Sequence, residues 1–100
     1  MHIETGNAVA ARLYRVETAI DTALAEVAAF VADLPRARSE AYLSAVAGQQ
    51  VFDHATESLA AINLARARMV AAHNSLAALA RKMGMDSLAV GPLDKPEDTP

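Results

Sequence analysis

Apolar residues recur through the first part of this chain at alternating spacings of four and three residues. This spacing keeps one side of a long α-helix turned toward a partner, because its average of 3.5 residues stays close to the 3.6 residues of a helical turn. Leu24 and Val31 broaden the stripe, which is typical of a helical bundle rather than a narrow two-stranded zipper. The stripe consists of Val9, Leu13, Val16, Ile20, Ala23, Val27, Phe30 and Leu34.

A second stripe with the same spacing follows in the second part of the chain. Its first half is made of small residues, which favours close helix packing near the turn, and Phe52 and Leu59 lie along one shoulder. Gly48 lies on the stripe, and a single interior glycine costs a helix only about 1 kcal/mol. We therefore expect one continuous helix; a break at Gly48, giving a monomeric three-helix bundle, is the alternative. The stripe consists of Ala41, Ser44, Gly48, Val51, Ala55, Ser58, Ile62, Ala65, Met69, Ala72, Leu76, Leu79 and Met83.

Pro35 separates the two stripes and predicts the turn of an antiparallel helical hairpin. Proline donates no amide hydrogen and disfavours helical geometry in the residue before it. We predict helix 1 over about residues 5–33, a turn over about 34–38 and helix 2 over about 39–83, with a mere kink at Pro35 as the alternative. Gly84 can adopt the left-handed conformation that ends a helix.

Polar residues at the expected helix ends agree with these boundaries. Thr5 or Asn7 can cap helix 1, and Ser39 can cap helix 2. Beyond the hairpin of residues 1–84, residues 85–100 are rich in proline and acidic side chains, which predicts a disordered, flexible acidic tail.

Composition supports an all-α fold and excludes several classes of protein. Alanine supplies 24 of the 100 residues and is the best helix former, whereas strand-forming residues do not alternate. The absence of cysteine excludes disulfides and thiolate metal sites. A net charge of −3 argues against nucleic-acid binding, and no apolar run reaches the ~20 residues of a membrane span. The first residues lack an export signal, so we expect a cytoplasmic protein.

The predicted helix lengths differ, and this difference predicts a partner. At ~1.5 Å per residue, helix 2 would extend beyond helix 1 by about 20 Å. Each large apolar side chain left in water there forfeits ~1.5 to 3 kcal/mol of burial energy. Two hairpins could cover each other's ends, which predicts a homodimer resembling a four-helix bundle; docking of another helical protein is the alternative. The expected interface residues are Ile62, Met69, Leu76, Leu79 and Met83.

A possible metal site lies within one turn of helix 2. His54 and Glu57 share a helix face and are weak candidates for half of a carboxylate and histidine site completed by a second subunit. Carboxylate bundles use several such motifs, and here the motif occurs once and in reversed order. We therefore interpret Asp53 and Glu57 as a charged shoulder that pairs with Arg12 and Arg15 of helix 1.

Two further polar features allow weaker interpretations. Arg66 and His73 lie beside the stripe of helix 2, where a polar residue can fix register and oligomeric state. Arg66, Arg68, Arg81 and Lys82 make a mildly basic helix end, but without interleaved aromatic residues this predicts solvent exposure rather than contact with nucleic acid.

No catalytic residue, cofactor site or nucleotide-binding motif is recognisable, so we expect no enzymatic activity and no cofactor. The sequence predicts a small helical protein-interaction module, such as an adaptor, a chaperone or an assembly component, that acts as a homodimer. The alternative function is a metal-binding helical bundle with a carboxylate and histidine site at the dimer interface. A nucleic-acid regulator and an amphipathic coat on a lipid surface are more distant alternatives.

Overall fold

A computed structural model of the chain describes residues 3–41 and 45–84. Two α-helices of 38 residues each, α1 (Ile3–Glu40) and α2 (Ala45–Lys82), pack side by side as a hairpin. The predicted all-α helical hairpin is confirmed. The molecule measures 61 × 25 × 17 Å and has a radius of gyration of 18.9 Å, against about 13 Å for a compact domain of this length. It is therefore a rod one layer of helices thick.

The turn of the hairpin comes later than the sequence predicts. α1 continues through Pro35 to Glu40, and the amide of Ala41 still donates to the carbonyl of Ala37 at 2.9 Å. The predicted turn at 34–38 is therefore wrong, as is the prediction that Ser39 caps the second helix. The missing amide hydrogen and the ring of an interior proline cost about 3 kcal/mol. Packing of the next helical turn offsets this cost, since Arg38 is half-buried against α2.

The outer ends of the two helices lie close to their predicted positions. α1 begins at Ile3, two residues before the expected start at about residue 5. Gly84 has a φ of 72°, and its amide donates to the carbonyl of Arg81 at 3.0 Å. The predicted left-handed glycine after helix 2 is thus confirmed. The predicted tail, residues 85–100, lies outside the described residues.

Equal helix lengths remove the predicted overhang. The N-terminal half of α1 runs beside the C-terminal half of α2, where Ala10 packs with Ala77 and Ala80 in one buried cluster that Leu76 also contacts. The far end of α2 is therefore covered by the chain's own first helix. The prediction of an overhang was wrong because it assumed that α1 ends near Pro35. The two helices are equally long, so helix length no longer gives a reason to expect a partner.

We call the stripe of residues that packs against the other helix the seam. On α1 the seam alternates steps of four and three residues as predicted, but every second seam residue differs from the predicted one. Leu13, Ile20, Val27 and Leu34 are on the seam as predicted. The alternate positions move one residue toward the C-terminus, so the predicted Val9, Ala23 and Phe30 are exposed and Val16 is only half-buried. The α1 seam is Gly6, Ala10, Leu13, Glu17, Ile20, Leu24, Val27, Val31, Leu34 and Arg38.

The same shift occurs in α2. Residues predicted to lie on a shoulder, among them Phe52 and Leu59, are the ones that pack, whereas the predicted Val51 and Leu79 are exposed. Val70 and Ala77 also lie outside this row, although they are more buried than the seam residues Met69 and Leu76 beside them. The half-buried Thr56, Ala71 and Asn74 lie outside it as well. The α2 seam is Gly48, Phe52, Ala55, Leu59, Ile62, Arg66, Met69, His73, Leu76 and Ala80.

α2 is continuous through Gly48, so the alternative three-helix bundle is not formed. Gly48 faces the side chain of Arg38, and a Cβ atom at this glycine would overlap the Cγ and Cδ atoms of the arginine. The absence of a side chain at Gly48 therefore leaves room for Arg38. The buried alanine cluster, however, is at the opposite end of the hairpin, away from the turn.

The core of the hairpin is small. Its buried apolar residues are four alanines together with Leu13 and Val70. Among the described residues, no large side chain is completely shielded from solvent. Domains normally bury their apolar surface between two or more layers of secondary structure, and here one layer stands alone.

Candidate interaction surface

A buried polar pair interrupts the apolar seam. The ring Nδ1 of His73 lies 3.2 Å from Oε2 and 3.4 Å from Oε1 of Glu17, and His73 is only 4% exposed. Nδ1 is the donor of this hydrogen bond when the Glu17 carboxylate is ionised, because an ionised carboxylate can only accept hydrogen bonds. The other ring nitrogen, Nε2, is buried and has no hydrogen-bond partner among the described residues.

An ion pair lies about two helical turns from this pair along the hairpin, toward the turn. Arg66 Nε donates to Asp21 Oδ1 at 2.8 Å, with side chains that are 33% and 58% exposed. Asp21 lies at the edge of the seam, and its carboxylate therefore keeps contact with water. A pair this exposed adds little stability, about 0 to 1 kcal/mol, but its geometry identifies which residues stand opposite each other.

Together these two pairs define the register of the hairpin. A shift of one helix along the other would leave the buried His73 without its carboxylate, and an unpaired buried polar group costs about 1 to 3 kcal/mol. Sequence reasoning placed Arg66 and His73 in a register-fixing role between two molecules; in the structure their partners belong to the same chain. It missed Glu17, which becomes visible as a seam residue only when the heptad phase is shifted by one.

The proposed metal ligands do not come together with others. His54 and Glu57 are both exposed on α2, and the carbonyl of His54 accepts a hydrogen bond from its neighbour Ser58 at 3.1 Å. Within residues 3–41 and 45–84, no group of three or more His, Cys, Asp or Glu side chains could hold a metal ion.

The predicted pairing of Arg12 and Arg15 with Glu57 and Asp53 is contradicted by the register. Ala10 packs against Ala77 and Ala80, so the first third of α1 lies beside the last turns of α2. The prediction placed the turn too early, which shifted all of α2 relative to α1.

The five predicted interface residues divide into two groups. Ile62, Met69 and Leu76 are half-buried on the seam against α1, whereas Leu79 and Met83 are exposed. The prediction that all five contact a second molecule stays a prediction. Of the five, these two exposed residues offer a partner the most surface.

The residues displaced from the predicted stripes form a surface of their own. On each helix they make a row with seven-residue spacing that flanks the seam on one side. Both rows occupy the same position of the seven-residue repeat, one residue before a seam residue. In two antiparallel helices that pack seam against seam, equivalent positions of the repeat lie on the same side of the seam, so the two rows share one broad face of the hairpin. We call this surface the apolar face. Its rows are Val9, Val16, Ala23, Phe30 and Ala37 on α1, and Val51, Ser58, Ala65, Ala72 and Leu79 on α2.

Large apolar side chains on this face are exposed to solvent. Phe30 is 52% exposed, and Val9, Val51 and Leu79 are each more than 40% exposed. Ser58 is the one polar residue of the two rows, and its hydroxyl already donates to the backbone of its own helix. The face therefore presents apolar surface with no polar side chain that needs a partner, which is typical of an interaction site.

The opposite broad face has a different character, and we call it the polar face. The ion pair between Asp21 and Arg66 lies on this side, and so does Tyr14, which is 70% exposed. A surface pocket of about 120 Å³ near the turn also opens here, between Pro35 and Gln49. Its rows are Asn7, Tyr14, Asp21, Ala28 and Pro35 on α1, and Gln49, Thr56 and Asn63 on α2. Further along α2 the same row is buried against α1, at Val70 and Ala77.

No protein-family model, curated protein or solved structure matches this chain. In the described part of the chain, neither helix is both long enough and apolar enough to cross a membrane.

Proposed function

We propose that this chain is a helical protein-interaction module whose working unit is a homodimer. The observation that carries the proposal is the exposure of Val9, Phe30, Val51 and Leu79 on one broad face of a single-layer rod. An apolar face of this kind is stabilised when a second layer of helices covers it, as in a four-helix bundle. The cytoplasmic location and the roles of adaptor, chaperone or assembly component predicted from the sequence remain part of this proposal.

The small core gives a second reason to expect a partner. Full burial of a leucine or valine side chain contributes ~1.5 to 3 kcal/mol, and Leu13 and Val70 are the only buried apolar residues of that size within the described ranges. A core this small is normally supplemented by an additional stabilising element, and an oligomer supplies one without cysteine or metal.

Light scattering and sedimentation equilibrium on the purified full chain test this proposal. We expect twice the chain mass of 10.5 kDa, with dissociation on dilution over about a hundredfold range of concentration. A mass of one chain throughout that range, with the helices intact by circular dichroism, would contradict the proposal.

A further inference from the structure

We infer that the apolar face binds the apolar face of a second copy of this chain, with the two hairpins running in opposite directions. This inference rests on the proposed homodimer and adds to it the surface, the orientation and the contacting residues. It follows from the size of the face, the arrangement of its large and small residues, and the charges along its edge.

The face is large enough for a stable dimer. A helix of 38 residues is about 57 Å long at ~1.5 Å per residue, and two packed helices are about 20 Å wide. The whole broad side of the rod, made of the two apolar rows and the charged rows at its edges, therefore spans on the order of 1,000 Å², and a specific interface of standard size buries about 800 Å² on each partner. A second copy supplies a face of the same length and the same apolar character.

The register of the hairpin determines which residues of the two rows stand side by side. Asp21 pairs with Arg66 and Glu17 pairs with His73, and between them these two pairs place Ala23 about level with Ala65. Seven-residue steps in either direction then place Phe30 level with Ser58 and Val16 level with Ala72. The middle of the face is thus occupied by two small residues, and the larger side chains lie toward its ends.

This arrangement is self-complementary about its middle. A two-fold axis between the copies, crossing the helices at the level of Ala23, sets Ala23 against Ala23 of the second copy. The same axis sets Phe30 over Val16 of the second copy, and Val51 over Leu79 of the second copy. Small residues at the centre allow the helices to approach closely, while each large side chain meets an apolar one.

Charges along the edge of the face favour this opposite orientation. Arg12 and Asp33 lie in the next row outward on α1, about equally far from Ala23 on its two sides, and both are exposed. With the copies antiparallel, Arg12 stands opposite Asp33 of the second copy, and the symmetry repeats this pair. With the copies parallel, Arg12 would instead face the neutral Ser75 and would gain no partner. Edge charges of this kind select orientation more than they add affinity.

Engineered cysteines test the face and the orientation together, because the natural chain has no cysteine. We expect Ala23→Cys to form a disulfide between two copies under mild oxidation, since its symmetry mate lies directly opposite. Ala28→Cys is the matched control, because Ala28 is equally exposed at a nearby level of the polar face. A mixture of Ala23→Cys and Ala65→Cys chains should give same-variant disulfides; a predominantly mixed disulfide would show parallel copies and overturn the orientation.

Substitutions on the two faces provide the second measurement. Phe30→Asp should weaken the dimer at least about 100-fold, because the symmetry removes two buried aromatic side chains at once. Tyr14→Asp on the polar face should leave the dimer constant within about twofold, and both variants should stay helical because both side chains are exposed. Arg12→Asp or Asp33→Arg should each weaken the dimer about tenfold, and the double charge reversal should restore it.

The outcomes separate this inference from the proposed function. A two-chain mass that survives Phe30→Asp, or a disulfide that forms at Ala28→Cys and not at Ala23→Cys, would overturn the inference and leave the homodimer intact. A one-chain mass for the natural chain would overturn both. A dimer that is lost with Phe30→Asp, kept with Tyr14→Asp and trapped by Ala23→Cys would support both.

Discussion

Removal of Glu17 should destabilise the hairpin more than removal of any exposed charged residue. In the Glu17→Ala variant the His73 ring stays buried, with Nδ1 now lacking its carboxylate and Nε2 already without a partner among the described residues. An unsatisfied buried polar group costs about 1 to 3 kcal/mol, and the lost methylene packing adds somewhat less than 1 kcal/mol. We therefore expect the free energy of unfolding to fall by about 2 to 4 kcal/mol.

Two comparison variants give this prediction its specificity. Asp21→Ala removes a carboxylate that is mostly exposed, and it should cost about 0 to 1 kcal/mol. Replacement of both Glu17 and His73 by leucine removes the buried polar pair altogether, and it should restore the stability of the natural chain or exceed it by about 1 to 4 kcal/mol. The non-additivity of the single and double variants measures the coupling between the two side chains.

Urea unfolding followed by far-ultraviolet circular dichroism, with every variant at the same chain concentration, provides the assay. Glu17→Ala no less stable than Asp21→Ala would refute the buried-pair reasoning. So would a double leucine variant as unstable as Glu17→Ala alone, because the cost would then not come from an unpaired histidine.

Two further predictions concern the packing of small residues, and both use the same unfolding measurement. Gly48→Ala should not raise the stability of the natural chain, because the new methyl group displaces Arg38. In an Arg38→Ala background the same substitution should raise the stability by about 1 kcal/mol, because alanine has the higher helix propensity. Equal effects in both backgrounds would disprove the contact between Gly48 and Arg38. Ala77→Leu should cost about 1 to 3 kcal/mol because Ala77 is completely buried in the alanine cluster, whereas Ala78→Leu on the exposed side should change stability by no more than about 0.5 kcal/mol. A harmless Ala77→Leu would mean that the two helices do not approach closely there.

Large parts of the fold could be predicted because they depend on local chemistry and periodicity. The high alanine content and the four-and-three spacing indicated two long helices, and Gly84 ended the second helix in the left-handed conformation that glycine alone adopts without strain. The position of the turn could not be predicted from Pro35, because an interior proline is tolerated when the following turn packs well, and that packing involves residues distant in sequence.

The candidate surface was predicted only in part, for a related reason. Each helix carries apolar residues on three adjacent rows, and a heptad pattern this broad is compatible with two phases that differ by one residue. Sequence reasoning chose the phase containing Val9 and Phe30, and this choice concealed Glu17 as the partner of His73. Every second residue that it assigned to the hairpin core lies instead on the apolar face that we propose as the dimer interface.

The sequence by itself determined that this chain forms two long helices, because helix propensity, spacing and the terminal glycine act within a few residues of each other. Only the tertiary structure decided where the hairpin turns, which two rows face each other and which row is left for a partner. Those outcomes depend on the pairing of Glu17 with His73, of Asp21 with Arg66 and of Arg38 with Gly48. Contacts between residues so far apart in the chain leave no local signal, since their energy exists only once the two helices are side by side.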